Sequence, residues 1–227
     1  MGCARSIAFI AVGLCVTLGG CATKRTIASL ASVTVEAADP DPDSWKAVAT
    51  APDIDRIQRI DAAWLMALGA ARGRDAAAIA REGPLLEASA PLPRAAPPPG
   101  RYRCCVIALG RGAASRGRTF AAFKPFTCFV QVEDKLLVLM KATGTQLPGG
   151  RLWEDGDTRM VFLGAMAPQA GAAAPSYGAD PRRDRAGVVE RVGEFRWRLV
   201  MPWLRQGPAI EVMELVPEVP PPAVSAR

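Results

Sequence analysis

The chain holds six cysteines and no histidine, and those two facts set its chemistry. Without an imidazole, Ser-His-Asp and Cys-His nucleophilic catalysis in their usual forms are excluded. So are the histidine-containing zinc sites, and Cys104, Cys105 and Cys128 are one thiol short of a four-cysteine site. The other reactive groups are charges, densest between Tyr177 and Arg198: Asp180, Arg182, Arg183, Asp184, Arg185, Glu190, Arg191, Glu194, Arg196 and Arg198. On an open strand face, Arg196 and Arg198 would form a candidate anion or ligand contact, because guanidinium grips carboxylate or phosphate bidentately. Asp180 or Asp184 with Glu190 is a candidate acid–base pair for glycoside cleavage, which needs two carboxyls about 5–10 Å apart around a cleft. The surrounding arginines would hold both carboxylates ionised, which argues against either as an acid. The plainer reading is a solvated loop and the outer face of a hairpin, with ion pairs worth under about 1 kcal/mol each. Gly110-Arg111-Gly112-Ala113-Ala114-Ser115 approaches a dinucleotide fingerprint but lacks its third glycine and opens no helix. Ser115 misses the nucleophile-elbow spacing.

Cys21 has a different setting. Arg5 precedes an apolar run from Ile7 to Leu18, and Leu18-Gly19-Gly20-Cys21 follows directly. Positive start, apolar core and small residues are the layout of a secretory signal over 1–20. The apolar run is shorter than the about 20 residues a spanning helix requires. The tetrad resembles a bacterial lipobox. That resemblance implies cleavage before Cys21, lipid (palmitate-class acyl chains) attached at Cys21, and a mature chain starting there. Ala22 in place of Asp points to the outer membrane of a Gram-negative bacterium. Two or more acyl chains give stable anchoring, so the expected location is the periplasmic face, lipid-anchored.

Removal of the signal leaves about 207 residues, room for one medium domain or a small pair. Half of the chain is hydrophobic, enough for a sizeable core. The net charge of +6 is carried mostly by arginine, 23 of the 28 basic residues. A solvated surface encoded by a GC-rich genome accounts for that, and attraction to anionic lipid headgroups is the functional reading. No basic helix interleaved with aromatics is present, so nucleic acid is not an expected partner.

The elements that must position these groups divide at Gly100. Residues 21–42, with Asp39-Pro40-Asp41-Pro42, read as a tether. An α-helical segment is expected over 43–90. Its stripe is Ile54, Ile57, Ile60, Trp64, Leu65 and Leu68, started by Pro52 and Asp53 and weakened then ended by Gly69 and Gly73. A second short helix is expected from Asp75 to Glu82, stopped by Gly83-Pro84. The prolines of 91–100 make a stiff connector. From 101 to 217 the period becomes two, clearest in Phe195–Met201, where Arg196 and Arg198 alternate with apolar residues. Further strands are expected at Tyr102–Leu109, Thr127–Glu133, Leu136–Ala142, Arg159–Ala165, Val188–Val192 and Ala209–Val216, with weaker ones at Arg151–Glu154 and Thr119–Lys124. Turns fit at Asp134-Lys135, Asp155-Gly156 and Gly193-Glu194. Seven to nine short strands without intervening helices predict a mainly β fold (α+β overall), a small antiparallel β-barrel or, alternatively, a β-sandwich. Residues 218–227 read as a disordered tail.

In an oxidising compartment disulfides persist. Strand neighbours point to opposite faces, so only one of Cys104 and Cys105 can face Cys128. Cys104–Cys128 is the expected pair, closing a loop of about 25 residues worth roughly 3 kcal/mol, with Cys105 left as a small buried hydrophobe.

The motifs Gly100-Arg101-Tyr102-Arg103-Cys104, Pro125-Phe126-Thr127-Cys128 and Lys141–Gly150 come in a fixed order with Val161-Phe162-Leu163-Gly164. Tyr177-Gly178-Ala179-Asp180, Gly187–Arg191, Arg196–Val200 and Glu214–Pro217 follow. With Ala63-Trp64 and Glu82–Leu86 upstream, the set resembles the domain of unknown function 4893 family over residues 43–217. The family carries no assigned activity, so the resemblance supplies no catalytic residues and no cofactor; it supports Cys104 as the paired cysteine, and Cys105 departs from the pattern. Glycine two before an aromatic on the first strand, with arginines near the last, also resembles the calycin pattern of lipocalins, in which an arginine packs across that aromatic. A barrel with an early disulfide is similar to bacterial metalloprotease inhibitors. Function does not follow from fold. The expectation is a non-catalytic barrel binding a small amphipathic ligand or an envelope component. The alternative is a protein-interaction module, an inhibitor or assembly factor; an enzyme ranks third.

Overall fold

A computed structural model describes residues 44–110, 117–142, 148–169, 172–204 and 208–218. Cys21, the signal, the tether and the tail after Glu218 lie outside the described residues. The helical segment has three helices: α1 (Trp45–Val48), α2 (Ala51–Gln58) and α3 (Ile60–Glu82), followed by a 3₁₀ turn at Gly83–Leu86. Thr50 precedes α2 as its N-cap residue, and Pro52 sits in the first turn, where its missing N–H costs nothing.

The expected second helix from Asp75 to Glu82 is present: two helices meet at the non-helical Asp75 and together make up α3. α3 runs through Gly69 and Gly73, and Asp75 is a kink within it at φ −114°, ψ 16°. Each glycine costs a helix about 1 kcal/mol relative to alanine. That cost is offset by the stripe Ile60, Ala63, Trp64, Ala67, Leu68 and Ala71, all buried against the sheet. Asp75 stays useful at its kink by accepting a 2.7 Å hydrogen bond from Thr119 Oγ1.

Nine strands follow: β1 (Gly100–Leu109), β2 (Phe120–Ala122), β3 (Phe126–Glu133), β4 (Leu136–Lys141), β5 (Pro148–Glu154), β6 (Arg159–Met166), β7 (Asp184–Gly193), β8 (Arg196–Pro202) and β9 (Ile210–Pro217). From β3 to β9 each strand pairs antiparallel with the next, and β9 pairs along β1 from Leu109↔Ile210 to Tyr102↔Pro217. That pairing closes the sheet into an eight-stranded antiparallel barrel and settles barrel against sandwich. On its other edge, β1 pairs with β3 up to Cys104↔Phe126 and with the short β2 from Ile107↔Ala122. The wall therefore changes strands beside Val106.

Alternation along the strands separates two cores. The inner one holds Tyr102, Cys104, Cys128, Val130, Leu139, Leu152, Met160, Phe162, Val189, Trp197, Leu199, Met201, Met213 and Leu215. Eight strands leave an interior just wide enough for side chains, and here these side chains fill it. Phe162 requires glycine beside it: a Cβ on Gly150 or Gly164 would lie 2.7 Å from its ring. The outer core joins α3 to the sheet through Trp64, Ala67, Ile107, Leu109, Val188, Val200, Ile210 and Val212.

The disulfide joins Cys104 to Cys128, with Cα atoms 6.1 Å apart. Tyr102 is the register partner of Cys128, so the bridge is diagonal across β1 and β3. Cys105, one position on, points outward and is fully buried, with Sγ 3.3 Å from Glu214 Oε2.

Candidate functional site

Two polar constellations are built into this frame. The first lies on the outer wall, where β7, β8 and β9 carry Glu190, Arg198 and Glu214 in register. Arg198 is 0% exposed. Its Nε donates to Glu190 Oε2 at 2.7 Å. Its Nη1 donates to the carbonyls of Glu87 (2.7 Å), Leu85 (3.0 Å) and Pro84 (3.1 Å), the chain that leaves α3. The guanidinium carbon sits 4.7 Å from the Trp64 ring centroid, within cation–π range. Arg196 Nε donates to Glu214 Oε1 at 2.6 Å and its Nη1 to the Glu82 carbonyl at 3.2 Å. Burial pushes the Glu190 carboxyl up, with the Arg198 guanidinium opposing it. Both arginines thus fasten the helical segment to the barrel.

The expected open basic face is corrected by this arrangement. Helix α3 and the turn after it cover the β8 outer face, so Arg196 and the Nε and Nη1 of Arg198 donate to internal acceptors, while Arg198 Nη2 is buried without a hydrogen-bond partner among the described residues. The calycin-like arginine contact is likewise displaced. Arg198 packs on Trp64 from outside, while Tyr102 meets Trp197 edge-on inside the barrel, centroids 6.3 Å apart. The glycoside pair is not assembled. Asp184 and Glu190 lie six residues apart on one strand, roughly 20 Å at 3.3 Å per residue, and Asp180 pairs with Arg182 and Arg183.

The second constellation is inside one end of the barrel. Lys141 alternates with inward Leu139 on β4, Arg185 with Val189 on β7, and Glu211 with Met213 and Leu215 on β9. Three ionisable side chains therefore take lumen-facing positions at the same end. Lys141 Nζ lies 4.0 Å from the Phe126 ring centroid. Val106, Phe126 and Leu204 pack half-buried against the inner core and give an apolar lip. Burial pushes the Glu211 carboxyl up, opposed by the Arg185 and Lys141 charges. Burial also pulls the Lys141 ammonium down, with Glu211 opposing. Arg185 Nη1 caps the carbonyls of Asp184 (2.8 Å) and Arg183 (3.2 Å). Among the described residues, Glu211 makes no ion pair within 4 Å. The arrangement can hold an anion between two cations while Glu211 tunes its strength. No His, Cys, Asp or Glu group able to hold a metal occurs among the described residues.

A family model, that of a domain of unknown function (DUF4893), matches residues 45–215, from the buried Trp45 of α1 to Leu215 near the end of β9. The chain belongs to the DUF4893 family. Comparison with curated proteins and with solved structures finds no match. The matched span takes in both the helices and the barrel of this DUF4893 chain, and the Arg198 contacts join the two.

The lumen trio was available to sequence reasoning and was missed. Parity alone places Lys141 with Leu139, Arg185 with Val189 and Glu211 with Met213 on the inner face. Gly112 to Ser115, the near-fingerprint, lies outside the described residues, as does the centre of Gly144–Gly150.

Proposed function

We propose that this DUF4893 chain is a lipid-anchored, non-catalytic binding protein at the periplasmic face of an outer membrane. Its ligand is a small anionic amphiphile seated at the barrel end that carries Lys141, Arg185 and Glu211. The observation that carries this reading is the convergence of two half-buried cations and a carboxylate on lumen-facing positions above a filled apolar interior. Burial pushes the Glu211 carboxyl up against the pull of Arg185 and Lys141, and two cations face this one carboxylate at that end. A carboxylate or phosphate head offers charge-assisted hydrogen bonds to both. Val106, Phe126 and Leu204 offer apolar surface to the rest of the ligand. Because side chains occupy the interior, the ligand sits on the rim rather than inside, unlike a ligand swallowed by a wider barrel. Acyl chains on Cys21 hold the domain near a source of such molecules.

Native mass spectrometry of the lipidated protein, released gently from its own membranes, tests this. A consistent added mass is expected, reduced at least tenfold in occupancy by Lys141→Met, which keeps the stem and removes the charge. Clean apo protein, or an adduct indifferent to Lys141→Met, would overturn the ligand reading. A mature mass that does not begin at a diacylated Cys21 would overturn the anchor.

A further inference from the structure

The first three turns of α3 are apolar on two faces. Ile60, Ala63, Trp64, Ala67, Leu68 and Ala71 are buried against the barrel. The opposite face carries Ala62, Leu65, Met66, Gly69 and Ala70, with Leu65 77% and Met66 55% exposed. A helix apolar all round is normally covered on all sides. Beside Leu65 runs a cleft of about 390 Å³ lined by Asp61, Leu65, Leu68, Gly69, Arg72 and Ser89 among others. A Cβ added at Gly69 would meet nothing within 4 Å, so the cleft is open there.

Asp61, Leu65, Leu68 and Arg72 are spaced four, three and four residues apart, the seam spacing of a coiled coil. The seam has an acidic end and a basic end, eleven residues and about 16 Å apart along the helix. Among the described residues, neither Asp61 nor Arg72 takes part in an ion pair within 4 Å. A two-fold axis crossing α3 between Met66 and Ala67 reverses the seam. It sets Asp61 of each copy opposite Arg72 of the other, and the exposed Leu65 over the cleft whose floor includes the buried Leu68. We infer that this face docks a second copy of the same chain, α3 against α3, antiparallel. The charge order matches itself only in that orientation, and an isologous contact needs this self-complementarity. Asp61 at the seam makes the same face a poor one for insertion among lipid chains. One helix pair buries less than the about 1,600 Å² of a standard interface, so the dimer is reversible. Confinement of anchored chains to one membrane would raise their effective concentration.

Sedimentation of the full-length protein in mild detergent, over a wide concentration range, tests the inference. Concentration-dependent dimer is expected for the unaltered chain. Leu65→Glu, Asp61→Arg and Arg72→Asp should each weaken it at least tenfold. The doubly swapped Asp61→Arg/Arg72→Asp chain should recover most of the loss, which a merely sticky apolar face would not do. All three positions are solvent-facing, and unchanged unfolding temperatures would confirm intact domains. Monomer at every concentration, single swaps without effect, or no recovery in the double swap would overturn the inference. So would monomer that binds vesicles through Leu65.

Discussion

Replacement of Arg198 by methionine tests whether the helical segment and the barrel are one cooperative unit. Methionine keeps the length of the stem and removes the guanidinium, so the change isolates the polar contacts. Three losses follow. Glu190, 9% exposed at its side chain, keeps a buried carboxylate without its 2.7 Å partner. The carbonyls of Pro84, Leu85 and Glu87 lose their shared donor. Trp64 loses its cation. Breaking a buried ion pair from one side costs about 3–5 kcal/mol, and unsatisfied buried acceptors add about 1–3 kcal/mol where water cannot reach them. Arg198→Met should therefore cost about 4–8 kcal/mol at neutral pH, a large share of the about 5–15 kcal/mol that stabilises a typical domain.

The cost should also depend on pH, with a definite sign. Burial already raises the Glu190 carboxyl above its ordinary value, and removal of Arg198 raises it further because the opposing charge is gone. A carboxyl raised in the folded state binds protons there that the unfolded chain does not. Folding is then favoured at low pH and loses stability as pH rises from the unfolded value toward the folded one. The gap between the variant and the unaltered protein should narrow on acidification. Glu190→Gln in the Arg198→Met background removes the stranded charge and should recover about 1–3 kcal/mol, leaving the carbonyl loss. Urea unfolding monitored by tryptophan fluorescence, across neutral to mildly acid pH, reads all three quantities. A loss below about 1 kcal/mol would falsify the joint as a buried anchor. A double variant no better than the single would refute the charge argument.

Four further outcomes follow from the same geometry. Tyr102 and Tyr177 are the two tyrosines of the chain. Burial pushes Tyr177 up to about 12, aided by its hydrogen bond to Asp53, and burial pushes Tyr102 up as well. Ultraviolet titration should therefore show little phenolate in native protein just above the ordinary value of 10.0, and much more once it unfolds. Because the folded state holds these protons more tightly, stability should fall as pH climbs from about 10 toward 12. Cys128→Ser should cost about 2–4 kcal/mol, and peptide mapping without reductant should recover Cys104 joined to Cys128; a different pairing would refute the staple. Gly164→Ala places a Cβ 2.2 Å from the Gly149 carbonyl and 2.6 Å from the Gly150 Cα, so unfolding should show a loss of about 3 kcal/mol or more. Gly73→Ala meets nothing and should gain about 0.5–1 kcal/mol.

Most strand positions were legible because a strand writes its environment into alternate residues. Tyr102–Leu109, Leu136–Ala142 and Arg159–Ala165 each present one inward and one outward series, and the structure follows them to within a residue or two. The ends that were missed share a cause. β5 begins at Pro148 rather than Arg151, and its Gly149 and Gly150 carry no side chain to show a face. β7 begins at Asp184 rather than Val188, because a charged start looks solvated. The break at Asp75 was legible, but the first half of α3 runs on through Gly69 and Gly73 despite their poor helix propensity. Tertiary packing overrides such local costs: Ala67 sits so close to the barrel that a Cβ on Gly110 would fall 3.1 Å from its Cα.

The misplacement of Arg196 and Arg198 has a different origin. Alternation tells which residues share a face, but not what covers that face. In a barrel the inner face is covered by closure, and the outer face is solvent unless another element lies on it. Arg196, Arg198 and Val200 occupy one outer row of β8, and α3 with its following turn makes that row internal. Glu190 and Glu214 on the flanking strands fit the covered state better than the open one, since a guanidinium buried alone would be strongly penalised. The same logic runs in the opposite direction at the rim. Lys141, Arg185 and Glu211 read as surface charges because charge is usually outside, yet parity puts them within. Charged residues on the expected apolar parity, not the densest charge run, were the sequence signal for the site. Applied to α3, that rule has a complement: Leu65, expected in the buried stripe, stands 77% exposed beside Met66, in an apolar row that no described residue covers.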